Sequence, residues 1–167
     1  MKSRTTIPVS MPSADKKKRK YQLPEFLGQS VDQKVYERWL HRKAVAHVRR
    51  DRTRGNKTAT NEEYKIAIHK AVCDSGGKDA YTNEELDWSL LSKYDNKQSK
   101  KHGRNYKKQF AMLPSVDHVG NGKGPADFKI CAWRTNDAKN DLSYEELLEL
   151  CRKVISTDKT AHLRTKT

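Results

Sequence analysis

Three times between residues 30 and 94, apolar side chains recur at helical spacing just after a hydroxyl residue with Glu or Gln three positions later. That spacing lets the two side chains cap a helix start reciprocally, so each instance predicts a helix. The first runs from Ser30–Gln33 to about Arg50, with Val31, Val35, Trp39, Ala46 and Val48 as its stripe. The second follows Thr60–Glu63, carries Tyr64, Ile68, Ala71 and Val72, and stops at Gly76-Gly77. The third follows Thr82–Glu85 with Leu86, Leu90, Leu91 and Tyr94. A fourth such start, Ser143–Glu146, opens the clearest stripe in the chain: Leu147, Leu150, Cys151, Val154 and Ile155.

The period changes between the third and fourth helices. Residues 95–108, DNKQSKKHGRNYKK, show no apolar repeat and predict a polar, basic connector. Phe110 to Leu113 form a short apolar run, and Val116 and Val119 flank the pair Asp117-His118. Beyond a Gly-containing loop at 120–126, Phe128, Ile130 and Ala132 alternate with Lys129 and Cys131. Alternation on both sides of a loop predicts a strand, a turn and a returning strand. Residues 134–141, RTNDAKND, then supply one or two helical turns. The expected class is α+β, mostly helical, with a local order β, β, α. Trp39, Trp88 and Trp133 are assigned to the core.

Composition alters this picture in two ways. Hydrophobic and charged residues each make up 34% of the 167 residues, so the core is small for the length. The formal net charge is +14, an excess that a polyanion offsets, and nucleic acid is the commonest polyanionic partner. A membrane surface fits less well, because the basic residues are spread along the chain rather than along one helix. Residues 1–29 carry Pro8, Pro12, Pro24 and the run Lys16 to Lys20, and are expected to form a mostly mobile arm. The helical region is expected over 30–94, a second region with the hairpin and final helix over 95–156, and a basic tail over 157–167. Cys73, Cys131 and Cys151 are odd in number and far apart, which predicts neither disulfides nor structural zinc. With no apolar signal or spanning segment, an intracellular protein is expected, cytoplasmic in a prokaryote.

Folding β, β, α back on itself gathers the candidate chemistry. Successive strand residues point to opposite faces, so Asp117 and His118 divide their labour. Asp117 and Asn136 offer hard oxygen ligands for Mg²⁺ or a similar ion. His118 is suited to removing a proton from water near neutral pH. Lys139, three residues after Asn136, shares its helix face and is placed to meet a phosphate. His41, His47, His69, His102 and His162 show no ligand spacing and receive no role.

The stretch LPSVDHV, the Gly-containing loop and ADFKICAWRTNDAKNDLS, about residues 110–142, resemble the ββα-metal motif of HNH endonucleases. YTNEEL at 81–86 is similar to the YTGExL segment that often precedes that motif. The resemblance implies a domain built around an HNH hairpin that hydrolyses DNA phosphodiesters with one divalent cation, Mg²⁺ or alternatively Mn²⁺. It makes His118 the general base and Asp117 and Asn136 the metal ligands. At the middle position, where the family has an Asn that braces the loop, this chain has Asp127, which accepts but does not donate; either the loop is braced differently, or Asn121 braces it, or activity is impaired. Arg49, Arg50, Lys107, Lys108, Arg134 and Lys139 are the expected contacts to the nucleic-acid backbone. Two other readings remain: an RNA-directed nuclease with the same centre, and a non-catalytic basic module that coats nucleic acid.

Overall fold

Helix α1 (Gln33–Thr53) starts where the Asp32 carboxylate accepts the N–H groups of Lys34 and Val35. The expected Ser30–Gln33 cap is not used. Gln33 instead accepts the Leu23 N–H through its Oε1 and donates through Nε2 to the Tyr21 carbonyl, tying the preceding segment to the helix. The computed structural model describes residues 20–157, so most of the expected arm and nearly all of the tail lie outside the described residues. The end of that arm packs on the protein. Leu27 is fully buried in a short 3-10 turn at Glu25–Leu27, and Tyr21 and Leu23 pack against the core.

The buried face of α1 is Tyr36, Trp39, Leu40, Ala44, His47, Val48 and Asp51. Ala46, expected on the stripe, points outward. Helix α2 (Asn61–Ser75) matches its prediction closely. Thr60 accepts the Glu63 N–H and donates its hydroxyl to the Glu63 carboxylate; Tyr64, Ile68, Ala71 and Val72 are buried; and Gly76 ends the helix at φ +56. The apolar faces of α1 and α2 pack together and make the larger part of the core.

The third predicted helix does not form. Asp79 takes over the local backbone instead: its Oδ1 accepts the N–H groups of Tyr81 and Thr82, and Asn83 turns to φ +60. Leu86 and Trp88 are drawn into the core as a loop with one 3-10 turn, Trp88–Leu90. The segment expected as a connector is helical: α3 (Asn96–Lys108), capped by Asp95 and interrupted at Gly103. Tyr106 and Phe110, at its end, meet Tyr94, whose ring also contacts Trp133. Tertiary aromatic packing thus holds a sequence with almost no helical stripe.

Strands β1 (Pro114–His118) and β2 (Phe128–Ala132) form a two-stranded antiparallel sheet, with Val116 opposite Ile130, Asp117 opposite Lys129 and His118 opposite Phe128. Helix α4 (Trp133–Lys139) follows at once and packs back on both strands. Helix α5 (Tyr144–Thr157) opens with the expected reciprocal cap between Ser143 and Glu146. Most of its apolar stripe is uncovered among the described residues, Val154 being 60% and Ile155 62% exposed, while Leu147 is half-buried. The class is mixed α+β and mostly helical. Among the described residues no helix is long and apolar enough to cross a membrane.

Candidate functional site

The two-residue period of β1 sorts its side chains between two layers. Val116 and His118 face α1 and α2. The His118 ring lies 5.0 Å from that of Phe128 and 6.3 Å from that of His47. Ser115 and Asp117 face α4, where the Asn136 amide donates to Ser115 Oγ at 2.9 Å and Lys139 Nζ lies 3.2 Å from Asp117 Oδ2. Asp117, Asn136 and Lys139 therefore gather on one side of the strand, with His118 on the other. Both groups line a single cleft of about 690 Å³, together with Arg50 of α1 and Arg54 just beyond its end.

Asp117 is buried and its carboxylate is engaged twice: by the Lys139 ammonium and by the Tyr81 hydroxyl, which donates to Oδ2. Burial and then this carboxylate push the Tyr81 phenol well above its ordinary range, so it stays a donor. The Asn136 amide spends its N–H on Ser115, which leaves Oδ1 as its acceptor end. One carboxylate and one amide oxygen on one strand face suit a hard cation that completes its shell with water or phosphate. Among the described residues no group of three or more His, Cys, Asp and Glu could hold an ion. Asp117 and Asn136 supply two oxygen donors here, and the Asp117 carboxylate is already neutralised by the Lys139 ammonium.

His118 has a carboxylate that the sequence reading missed. Its Nε2 lies 2.9 Å from Oδ2 of Asp51, which is fully buried at the end of the α1 stripe. The Tyr64 hydroxyl donates to the same oxygen at 2.7 Å, and Arg54 Nη1 is 3.7 Å from Oδ1. Burial and then Asp51 raise the Tyr64 phenol above its usual range. Gly122 covers the other side: at φ +76, it carries no Cβ where one would overlap the Asp51 carboxylate. A legible signal existed. His47 and Asp51 are polar residues on an otherwise apolar helical face, and a polar group there needs a partner.

No family model, curated protein or solved structure matches the chain. The site therefore stands on its geometry and on the motif its residues resemble.

Of the expected contacts, Arg50 and Lys139 line the cleft and the others do not. Arg49 is exposed outside it, Lys107 and Lys108 are exposed at the end of α3, and Arg134 is paired with Glu84. Lys129 adds positive charge to the lining, while Asp141, Glu145 and Glu146 place acidic groups there too. The loop is braced differently from the family pattern. Asp127 is exposed, and it is its backbone carbonyl that accepts the Val119 N–H. Asn121 forms a local turn with the Lys123 N–H. The amide that donates across the loop is Asn56, from the α1–α2 connection, which reaches the carbonyls of Gly122 at 3.0 Å and Gly124 at 3.3 Å.

Proposed function

We propose that this chain is a metal-dependent endonuclease of the HNH type that hydrolyses DNA phosphodiesters. One observation carries the reading. The β1–β2–α4 unit puts Asp117 and Asn136 on one face of a strand and His118 on the other, with all three lining one cleft beside Arg50 and Arg54. A phosphate in that cleft meets oxygen donors for a cation on one side and an imidazole on the other.

In the reaction, His118 takes a proton from a water as its oxygen bonds to phosphorus. The bond from phosphorus to the leaving deoxyribose oxygen breaks, and that oxygen gains a proton from solvent. Asp117 and Asn136 would hold the divalent cation, which supplies charge stabilisation at the phosphate and the leaving oxygen. Arg50, Arg54 and Lys129 hold the phosphate backbone in the cleft and contribute affinity without sequence information. The preference for DNA over RNA rests on the family tendency alone.

A second reading has its own support. Asp117 is already neutralised by Lys139 and Tyr81, as it would be in a hairpin that only binds. Plasmid nicking with Mg²⁺ and fluorescence anisotropy on a short duplex separate the two. His118→Ala should lower the cleavage rate by about 10²- to 10⁴-fold and keep DNA affinity, because the oxygen ligands and arginines remain. Equal nicking by wild type and His118→Ala removes the nuclease reading. Tight binding by both without nicking, in Mg²⁺ or Mn²⁺, establishes the binding module instead.

A further inference from the structure

We infer that the cleft takes an unpaired nucleobase on the ring of Tyr144, so that its substrate class is DNA with a single-stranded nucleotide at the site. The place of the phosphate rests on the nuclease reading, but the base site itself does not depend on cleavage.

The two walls of the cleft carry different chemistry. Arg50 and Arg54 stand on the His118 wall, Arg54 Nη1 lying 3.7 Å from Asp51, the carboxylate behind His118. On the opposite wall the Tyr81 hydroxyl donates to Asp117, and the Tyr81 ring lies 5.6 Å from that of Tyr144, tilted by 34°. Lys129 Nζ sits 5.2 Å from the Tyr81 ring centre and 5.4 Å from that of Tyr144. These contacts fix the Tyr144 ring at the start of α5, yet the residue stays 40% exposed and lines the cleft. A base stacks on an aromatic that is held in place with part of its surface open, because every base has a π face to offer.

Charge decides which end of a nucleotide goes to which wall. Asp141, Glu145 and Glu146 line the same cleft, all within three residues of Tyr144. The Glu146 carboxylate accepts the Ser143 N–H, whereas that of Glu145 has no partner among the described residues. Carboxylates repel a phosphate, so the backbone belongs at the arginines. They accept from the exocyclic amines of a base, so the base belongs at Tyr144. In a duplex both faces of each base are stacked and its pairing edge is used, so Tyr144 and Glu145 have nothing to hold. Proteins that grip a base this way act on single strands or draw the nucleotide out of the stack. Size agrees: about 690 Å³ lies within the roughly 300–1,000 Å³ of a pocket for one small molecule, and suits one nucleotide.

Fluorescence anisotropy of the full chain in EDTA, where Mg²⁺-dependent cleavage is off, tests the site with a labelled short DNA single strand and its matching duplex. Tyr144→Ala should weaken single-strand binding by about 5- to 150-fold, the worth of one base on an aromatic, and duplex binding by less than about twofold. Tyr144→Phe keeps the π face and should bind as wild type does. Tyr144→Leu keeps apolar bulk against Tyr81 but has no π face, and should fall with Tyr144→Ala. Equal losses on single strand and duplex overturn the inference, because Tyr144 then serves the fold or the backbone. So does a Tyr144→Ala protein at wild-type single-strand affinity, a Tyr144→Phe protein as weak as Tyr144→Ala, or a wild type that binds neither probe. If Tyr144→Ala does not fold, Tyr144→Phe and Tyr144→Leu decide. A wild type that holds the single strand through Tyr144 but nicks no plasmid in Mg²⁺ keeps the base site and loses the nuclease reading.

Discussion

Asn56 and Gly122 are joined across 66 positions of sequence, the Asn56 amide donating to the Gly122 carbonyl at 3.0 Å inside the protein. The other end of the same side chain accepts the N–H groups of Thr58 and Ala59, each at 3.0 Å. One buried amide thus shapes the α1–α2 turn and fastens the hairpin loop to it. The loop carries Gly122 against Asp51, so its placement sets the wall behind His118.

Asn56→Ala removes donor and acceptor together and leaves buried backbone groups unpaired. The expected loss is about 1–3 kcal/mol, read as a lower urea midpoint with an unchanged slope. Asn56→Asp keeps the acceptor that shapes its own turn and loses the donor. It should cost at least as much, because a carboxylate oxygen then faces the Gly122 and Gly124 carbonyls, and amide hydrogen exchange should accelerate over residues 119–127. Wild-type exchange in that loop would show that Asn56 does not hold it.

On the proposed reading, a divalent cation would have to compete with Lys139 for the Asp117 carboxylate. Lys139→Met keeps the length of the side chain and removes the ammonium, leaving Asp117 buried beside Tyr81 without its positive partner. Breaking such a pair costs about 3–5 kcal/mol. Mg²⁺ should return part of it, so the Tm of the variant should climb on Mg²⁺ titration by clearly more than that of wild type. Identical Mg²⁺ responses in the two proteins would mean that Asp117 is not the ion's ligand. The measurement needs no DNA and no turnover.

His47 makes stability depend on pH. Burial, and next the Arg50 guanidinium beside it, push its imidazole down to about 3, so the folded protein keeps it neutral. In the unfolded chain it titrates near about 6.5. Between those values the unfolded state binds more protons, so this contribution is complete above the unfolded value and is lost as pH falls toward about 3. The total is on the order of a few kcal/mol. His47→Phe keeps a ring against Phe128 and cannot protonate, so its urea midpoint should fall less than wild type's between pH 7 and pH 4. Parallel curves for the two proteins would exclude His47 as the source.

Where local chemistry and periodicity agreed, the sequence alone determined the structure. The Thr60 and Ser143 caps, the four buried residues of α2 and the hairpin from alternation around a Gly-containing loop are local events, set by side chains within a few positions of one another. Strand period also separated Asp117 from His118 in advance, because adjacent residues of a strand cannot share a face. Three outcomes depended on distant partners. Thr82–Glu85 has the letters of a helix cap, but Asp79 captures its backbone N–H groups and also accepts the Ala132 N–H of β2, so the segment is held as a loop. Residues 96–108 lack an apolar stripe, yet they form a helix whose end is held by Tyr94, which meets Tyr106 and Phe110 and is itself packed against the distant Trp133. The supports of the site, Asp51 behind His118, Asn56 under the loop and Tyr81 on Asp117, come from three separate stretches of chain. Their spacing in sequence carries no trace of the pairing, because a buried polar group is satisfied by whatever the packed core brings within about 3 Å of it.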